Sequence, residues 1–270
     1  MTWHFWIIIS VVATAVANLL QRIVMKGKDS DPLSTAIIFQ FAIGLFTGIF
    51  AVWKGFVLPP IGLYFWNFLL STLLWGLGSY FLFKAYQLLG SSEVAIISSL
   101  GAIVTIGTSI LFLGESFNIP KAIGTVLIIS SIIIISKKDG RFSFGQGTVY
   151  AIITTIFYGL AVTNDAFILR TYDAVSYTFV MSLLPGFLLL LIRPSVIYKF
   201  KKLANPVFGK SMLLLALFYS IQAVAYYVAL KNGANASQIS PIYKSNIILT
   251  VLLASIFLKE REHIPLKIFS

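Results

Sequence analysis

Apolar runs of about 20 residues follow one another along this chain, each long enough to cross the hydrocarbon core of a bilayer as a helix. Lipid offers no hydrogen-bond partner to a free N–H or C=O, so such runs fold as helices that satisfy their own backbones. Between them lie short breakers: Asp31-Pro32, Pro59-Pro60, Lys137-Lys138-Asp139-Gly140 and Arg193-Pro194. The pattern predicts nine spans, near 3–23, 33–53, 64–83, 92–113, 120–136, 147–169, 174–192, 211–231 and 237–258. No loop is long enough to hold a soluble domain. Only 11% of residues are charged and 58% are hydrophobic, too little charge to cover a soluble domain of this size. The fold class expected is therefore an all-α polytopic membrane protein, multi-pass in the cytoplasmic membrane. Ala13-Thr14-Ala15 imitates a signal-peptide cleavage site. No basic residue precedes that apolar run, and it continues to Leu20, so it reads as a retained first helix.

A segment of the chain occurs twice. Leu113-Gly114-Glu115 with Asn118-Ile119-Pro120-Lys121 returns as Leu258-Lys259-Glu260 with His263-Ile264-Pro265 and Lys267. The offset is 145 residues for both Glu115/Glu260 and Pro120/Pro265. Asn118 before Pro120 reads as a helix start, proline being tolerated where its missing N–H is not needed. Pro265 marks the same point in the second copy, so a tenth helix is expected to open where the sequence ends, and is missing or truncated. The expected organisation is a five-helix repeat over 1–138 and a second over 142–270 that lacks its last helix.

Five spans per repeat is an odd number, so the second repeat should lie inverted relative to the first. Charge agrees. Loops after the odd spans, counted with their edges, carry 15 of the 20 Lys and Arg residues, those after the even spans carry four, and Lys244 lies within a span. The positive-inside rule then places the odd-numbered loops in the cytoplasm and the N-terminus outside. The same distribution explains the net charge of +11 without nucleic acid as a partner. There is no cysteine, hence no disulfide framework, thiolate metal site or cysteine nucleophile.

The chain resembles the drug/metabolite transporter superfamily in its ten-helix EamA type. The resemblance rests on Phe112-Leu113-Gly114-Glu115 with Ile119-Pro120-Lys121-Ala122-Ile123-Gly124, and on the second copies Phe257-Leu258-Lys259-Glu260 and Ile264-Pro265-Leu266-Lys267. The approach to each motif also matches, Ala85-Tyr86 and Gly90 to Val94 in one half and Ala229-Leu230 to Ile239 in the other. It implies a secondary transporter of small metabolites or drug-like solutes. The expectation is an exporter working by alternating access around a midplane cavity between the repeats, with protons as a candidate coupling ion. The alternative is a non-transporting membrane subunit, or an inactive truncated remnant of such a transporter. Members are usually drawn with both termini in the cytoplasm, whereas the loop charges here argue the reverse.

Polar groups inside spans are costly and need a partner, a cavity or a function. Lys244 lies near mid-membrane, and Asp165 lies in the sixth span. One reading has both lining a central cavity, holding a zwitterionic or anionic solute or exchanging a proton. A second makes them a buried ion pair locking spans 6 and 9. A third has Asp165 near the membrane edge, solvated or paired with Arg170. Glu115 and Glu260 are the repeated acids of the motif, read as structural clasps with Lys121 and Lys267 in reach. Glu93 reads as an acid at a helix N-terminus. In the family, spans 1, 3, 4, 6, 8 and 9 surround the cavity. That makes Asn18, Trp75, Tyr80, Ser98, Tyr158, Asn164, Tyr219, Gln222, Tyr226, Tyr243 and Asn246 solute-binding candidates, against ordinary interhelical packing. Trp3, Trp6, Trp53 and Trp66 read as interface anchors. Gly44 and Gly48 form a GxxxG that permits close approach within the monomer or in a homodimer. Pro241 is a candidate break beside Lys244.

Enzymatic chemistry has little to stand on. His4 lies at the very start of the first span and His263 outside the spans, and no HExxH, GxSxG or carboxylate pair occupies a helix. No GxxxxGK[ST] occurs, and no cofactor or metal ligand set is apparent.

Overall fold

The computed structural model describes residues 2–26, 31–116, 118–119, 122–124, 126–127, 130, 137–138, 141–142 and 145–258. Among these residues eight helical segments are long and apolar enough to span a membrane. The first three are α1 (Trp3–Met25), α2 (Pro32–Lys54) and α3 (Ile61–Leu88), the last kinked near its start. The fourth is split into α4 (Ser91–Ile97) and α5 (Leu100–Leu113). Three more follow: α6 (Gln146–Ile168), α7 (Ala174–Ile192) and α8 (Pro206–Lys231). The last is split into α9 (Ala236–Tyr243) and α10 (Asn246–Leu253), closed by a π-helical turn over Ala254–Leu258. The expected fifth span, 120–136, falls largely outside the described residues. So do Lys121, Glu260, His263, Pro265, Lys267 and the expected opening of a tenth helix.

Local chemistry accounts for the helix boundaries. Asp173 accepts a hydrogen bond from Ser176 N (2.8 Å) at the start of α7, and Asn205 accepts from Val207 N and Phe208 N at the start of α8. Glu93 accepts from Gly90 N (3.2 Å), which makes it the N-terminal acid expected of α4. Pro59-Pro60 starts α3 through an irregular first turn, with Tyr64 at φ −122° and ψ 25°, so regular helix begins at the position the apolar pattern marks. Two differences from the sequence reading concern loops. The segment after Arg193 winds as a 3₁₀ helix over Pro194–Ala204, and Lys137–Lys138 pairs antiparallel with Arg141–Phe142 in a short backbone ladder.

Equivalent helices of the two halves run in opposite directions. Asp31, at the start of α2, meets Arg193 and Lys199 beyond the end of α7. At the other end of the same pair, Val57 N donates to Ser176 Oγ (3.1 Å) at the start of α7. Thus α2 and α7 are antiparallel, as inverted repeats require. The remaining packing repeats the exchange: α1 lies along α8, and α3 lies along α6. The core divides accordingly. One cluster, with Met25, Phe39, Phe83, Tyr86, Leu189 and Met212, sits toward the face of Asp31 and Arg193, here called the basic face. A second, with Ile7, Phe68, Ile168, Tyr177, Tyr227 and Ile239, sits toward the opposite face.

Small residues set the spacing. A Cβ at Gly44 would lie 2.5 Å from Leu183 Cδ2, and one at Gly48 would lie 2.7 Å from Phe179 Cε2. The GxxxG therefore serves the α2–α7 contact inside the monomer. Gly159 on α6 has less room to give, because its Cβ would fall 2.6 Å from Val104 Cβ and 3.0 Å from the Gly101 carbonyl oxygen. Neither neighbour is the tip of a flexible chain. Gly159→Ala is expected to destabilise the protein by ~1–3 kcal/mol. Gly62→Ala, with nothing within 4 Å of the added carbon, should leave the melting temperature of the purified protein unchanged.

Asp31 ties the basic face together. Burial works against its charged form. Hydrogen bonds from Lys199 and Ser34, with the charges of Arg193 and Lys199, outweigh that and hold the carboxyl at about 2 against an ordinary 3.8. Its contribution is thus complete above about pH 4 and fades as the pH falls toward 2. The partly exposed geometry limits it to about 1 kcal/mol. Asp31→Asn should remove this segment of the acid-unfolding profile and leave stability at neutral pH lower by that amount.

Candidate functional site

Among the described residues each half has a spanning helix interrupted near its middle, and the two interruptions have the same backbone chemistry. In the first half Ser99 N bonds to Ile96 O (3.0 Å), Gly101 N to Ser98 O (3.1 Å) and Ala102 N to Ser99 O (2.9 Å). In the second, Ser245 N bonds to Ile242 O (3.0 Å), Ile247 N to Lys244 O (3.0 Å) and Ile248 N to Ser245 O (3.2 Å). These i→i−3 bonds tighten the chain through one 3₁₀ turn before the α-helix resumes. The second break was expected from Pro241. The first was not: the only signal there is Ser98-Ser99 followed by Gly101, without a proline.

The two breaks face each other. A Cβ built at Gly101 would lie 3.7 Å from Lys244 Nζ, so the ammonium of the second break sits against the backbone of the first. Around it is a cavity of about 150 Å³. It is lined from α1 by Asn18, from α3 by Trp75, from the breaks by Ser98, Tyr243, Lys244 and Asn246, from α6 by Tyr158, and from α8 by Tyr219, Gln222 and Tyr226. Those ten of the sequence candidates come together here. Aromatic rings form part of its wall, with the Trp75 and Tyr158 ring centroids 4.5 Å apart and those of Tyr226 and Tyr243 5.1 Å apart.

Three amide oxygens in the wall are already engaged. Asn18 Oδ1 accepts from Tyr86 OH (3.1 Å), and Asn246 Oδ1 accepts from Asn18 Nδ2 (3.3 Å). Gln222 Oε1 accepts from Tyr243 OH (3.2 Å). Lys244 Nζ has the Tyr243 ring at 5.6 Å, and among the described residues no acceptor is bonded to it. Sequence reasoning missed Gln21, Thr14, Thr154, Thr155 and Tyr227 in the wall. Gln21 carried a usable signal, a polar side chain one turn from Asn18 on the same face of α1.

Asp165 is placed differently from any of the sequence readings. It is fully buried, and four neutral groups donate to its carboxylate: Ser71 Oγ (2.5 Å), Tyr177 OH (2.5 Å), Tyr227 OH (2.6 Å) and Trp75 Nε1 (2.8 Å). It forms no ion pair with Lys244 or Arg170 among the described residues. Trp75 and Tyr227 stand between it and the cavity, so it anchors the wall from behind. Asn164 belongs to the same lattice, donating to Ser71 Oγ (2.7 Å) and to the Asn67 carbonyl (2.8 Å). Tyr80 also lies outside the lining, with the Lys84 ammonium 4.8 Å from its ring centre.

Glu115 reaches across the repeats. Its carboxylate accepts from Ala236 N (2.9 Å), Ser237 N (2.9 Å) and Ser237 Oγ, closing the N-terminus of α9. Nearby, Arg170 Nη2 donates to Leu113 O (3.1 Å) and Lys231 Nζ to Arg170 O (3.4 Å). These contacts join the helix ends on the face opposite Asp31. Of the tryptophans read as anchors, Trp53 and Trp66 project outward, while Trp3 and Trp6 pack partly against the second core cluster.

Comparison with known proteins matches this geometry to a fold and a family. A solved crystal structure superposes with a TM-score of 0.72 over 98% of this chain and 92% of that one, at 14% identity, which speaks to fold alone. An uncharacterized protein of Methanocaldococcus jannaschii is 41% identical over 71 residues, 26% of this chain. The chain spans about half (52%) of that relative's length. The profile of the EamA-like transporter family matches twice, over residues 1–137 and again over 145–268. With a match in each half and the interrupted helices paired across them, the chain belongs to the EamA-like transporter family, a family of integral membrane transporters of small solutes.

Proposed function

We propose that the protein is a secondary transporter that exports a small metabolite or drug-like solute by alternating access, with the central cavity as the solute site. The observation that carries this reading is the Lys244 ammonium beside Gly101, unbonded among the described residues, where two interrupted helices meet in a cavity partly walled by aromatic rings. A cation kept in such a place without a counter-charge costs stability, and a solute that visits it is the simplest compensation. The hydrogen bonds on the face opposite Asp31 act as a latch that opens and closes as the halves rock. The basic face is the cytoplasmic one. The drive is a proton gradient or the solute's own gradient.

The test compares inverted membrane vesicles with and without the protein for uptake of a broad metabolite panel, with the proton gradient imposed or collapsed. Uptake of at least one solute class is expected. Gly101→Leu should abolish it while the protein still inserts, because the added side chain fills the space beside Lys244. Uptake unaffected by Gly101→Leu would move the solute path away from the cavity and overturn the assignment.

A further inference from the structure

The cavity is unbalanced in its hydrogen-bonding groups. Among the described residues only two buried side-chain polar atoms lack a partner, Ser92 Oγ and Gln21 Nε2. Gln21 is 1% exposed and lines the cavity. Its amide N–H groups and the Lys244 ammonium are both donors. Three neighbouring amide oxygens already accept hydrogen bonds: Gln222 Oε1 from Tyr243 OH, Asn18 Oδ1 from Tyr86 OH, Asn246 Oδ1 from Asn18 Nδ2. Asp165, the buried carboxylate nearest in kind, has both oxygens occupied by neutral donors behind the wall. A solute entering here finds spare donors and one full positive charge.

Resting on the transporter reading above, we infer that the solute is an organic monoanion, a carboxylate on a flat apolar or aromatic body. The carboxylate would take the Lys244 ammonium, with Gln21 Nε2 as a second, neutral donor. One fixed charge, with no second cation in the wall among the described residues, matches a single negative charge better than a dianion. Charge-assisted hydrogen bonds of this kind are short and strong where water is displaced. The body would lie against the faces of Trp75, Tyr158 and Tyr226, which offer broad apolar contact. A cationic solute is disfavoured on the same grounds, since it would bring a second positive charge beside Lys244 and leave both donors unmet.

The experiment uses three near-isosteres that differ in one group: phenylacetate, phenylacetamide and 2-phenylethylammonium. Binding to the purified full chain is read by thermal shift, and each compound also competes against the solute transported in proteoliposomes. Phenylacetate should bind about 10- to 100-fold more tightly than the amide, the range of a charge-assisted hydrogen bond. The ammonium compound should bind most weakly. Lys244→Met should erase the preference, Lys244→Arg should keep part of it, and Gln21→Leu should weaken phenylacetate while leaving the amide less affected. An amide or ammonium compound that binds as well as phenylacetate overturns the inference. So does a phenylacetate preference that survives Lys244→Met in folded protein, and so does failure of all three to bind. In those cases continued uptake of another solute class, blocked by Gly101→Leu, would leave the transporter reading standing while this one falls.

Discussion

Lys244→Met is expected to lower uptake about 100-fold while leaving the protein as stable as before, or more stable. Both halves of that statement come from one geometry. A charged side chain at mid-membrane depth costs ~3 kcal/mol on insertion scales unless it is paired. Among the described residues Lys244 has no paired carboxylate, so methionine of similar length removes the cost and keeps the packing. If the lysine locked two helices through an ion pair, the same change would instead strand a buried carboxylate and lower stability by ~3–5 kcal/mol. Melting temperature and uptake, measured on the same preparation, separate the cases. A large fall in melting temperature with Lys244→Met would return the residue to a structural duty.

The second large effect concerns Asp165. Asp165→Ala should destabilise the protein by at least ~3 kcal/mol, because Ser71, Trp75, Tyr177 and Tyr227 all lose their acceptor together. These donors come from three helices, α3, α7 and α8, around a carboxylate on α6. Asp165→Asn should recover part of the loss, since one amide oxygen still accepts while the amide N–H groups meet donors. Wild-type stability in Asp165→Ala, read from thermal unfolding in lipid nanodiscs, would mean that another acceptor replaces the carboxylate.

The eight described spans and their inversion were legible because they rest on apolar length, loop charge and the repeated motif. The interruption beside Lys244 was legible too, since Pro241 removes a backbone donor locally. The Ser98–Ser99 break had no such mark. It is recognised through its partner, a turn of the same backbone pattern 146 residues later, counting from Ser99 to Ser245. The pairing of Asp165 with Lys244 followed from the rule that buried charges seek opposite charges. That rule overlooks a carboxylate satisfied by neutral donors, and which donors surround Asp165 depends on how α3, α7 and α8 pack. Tyr80 and Asn164 lie within the expected helices but project away from the cavity, which helix phase alone did not resolve.

The Glu115 cap and the Lys244 break sit at opposite ends of one short helix. α9 has eight residues and hence a length of about 12 Å, a stiff rod with hydrogen bonds to the first half at one end and an ammonium in the cavity at the other. Its far joint is a single 3₁₀ turn, so the rod can pivot without unwinding α10. A solute that draws the ammonium toward itself would apply torque to the cap more than two helical turns away. Filling the cavity and releasing the latch would then be two readings of one lever's angle.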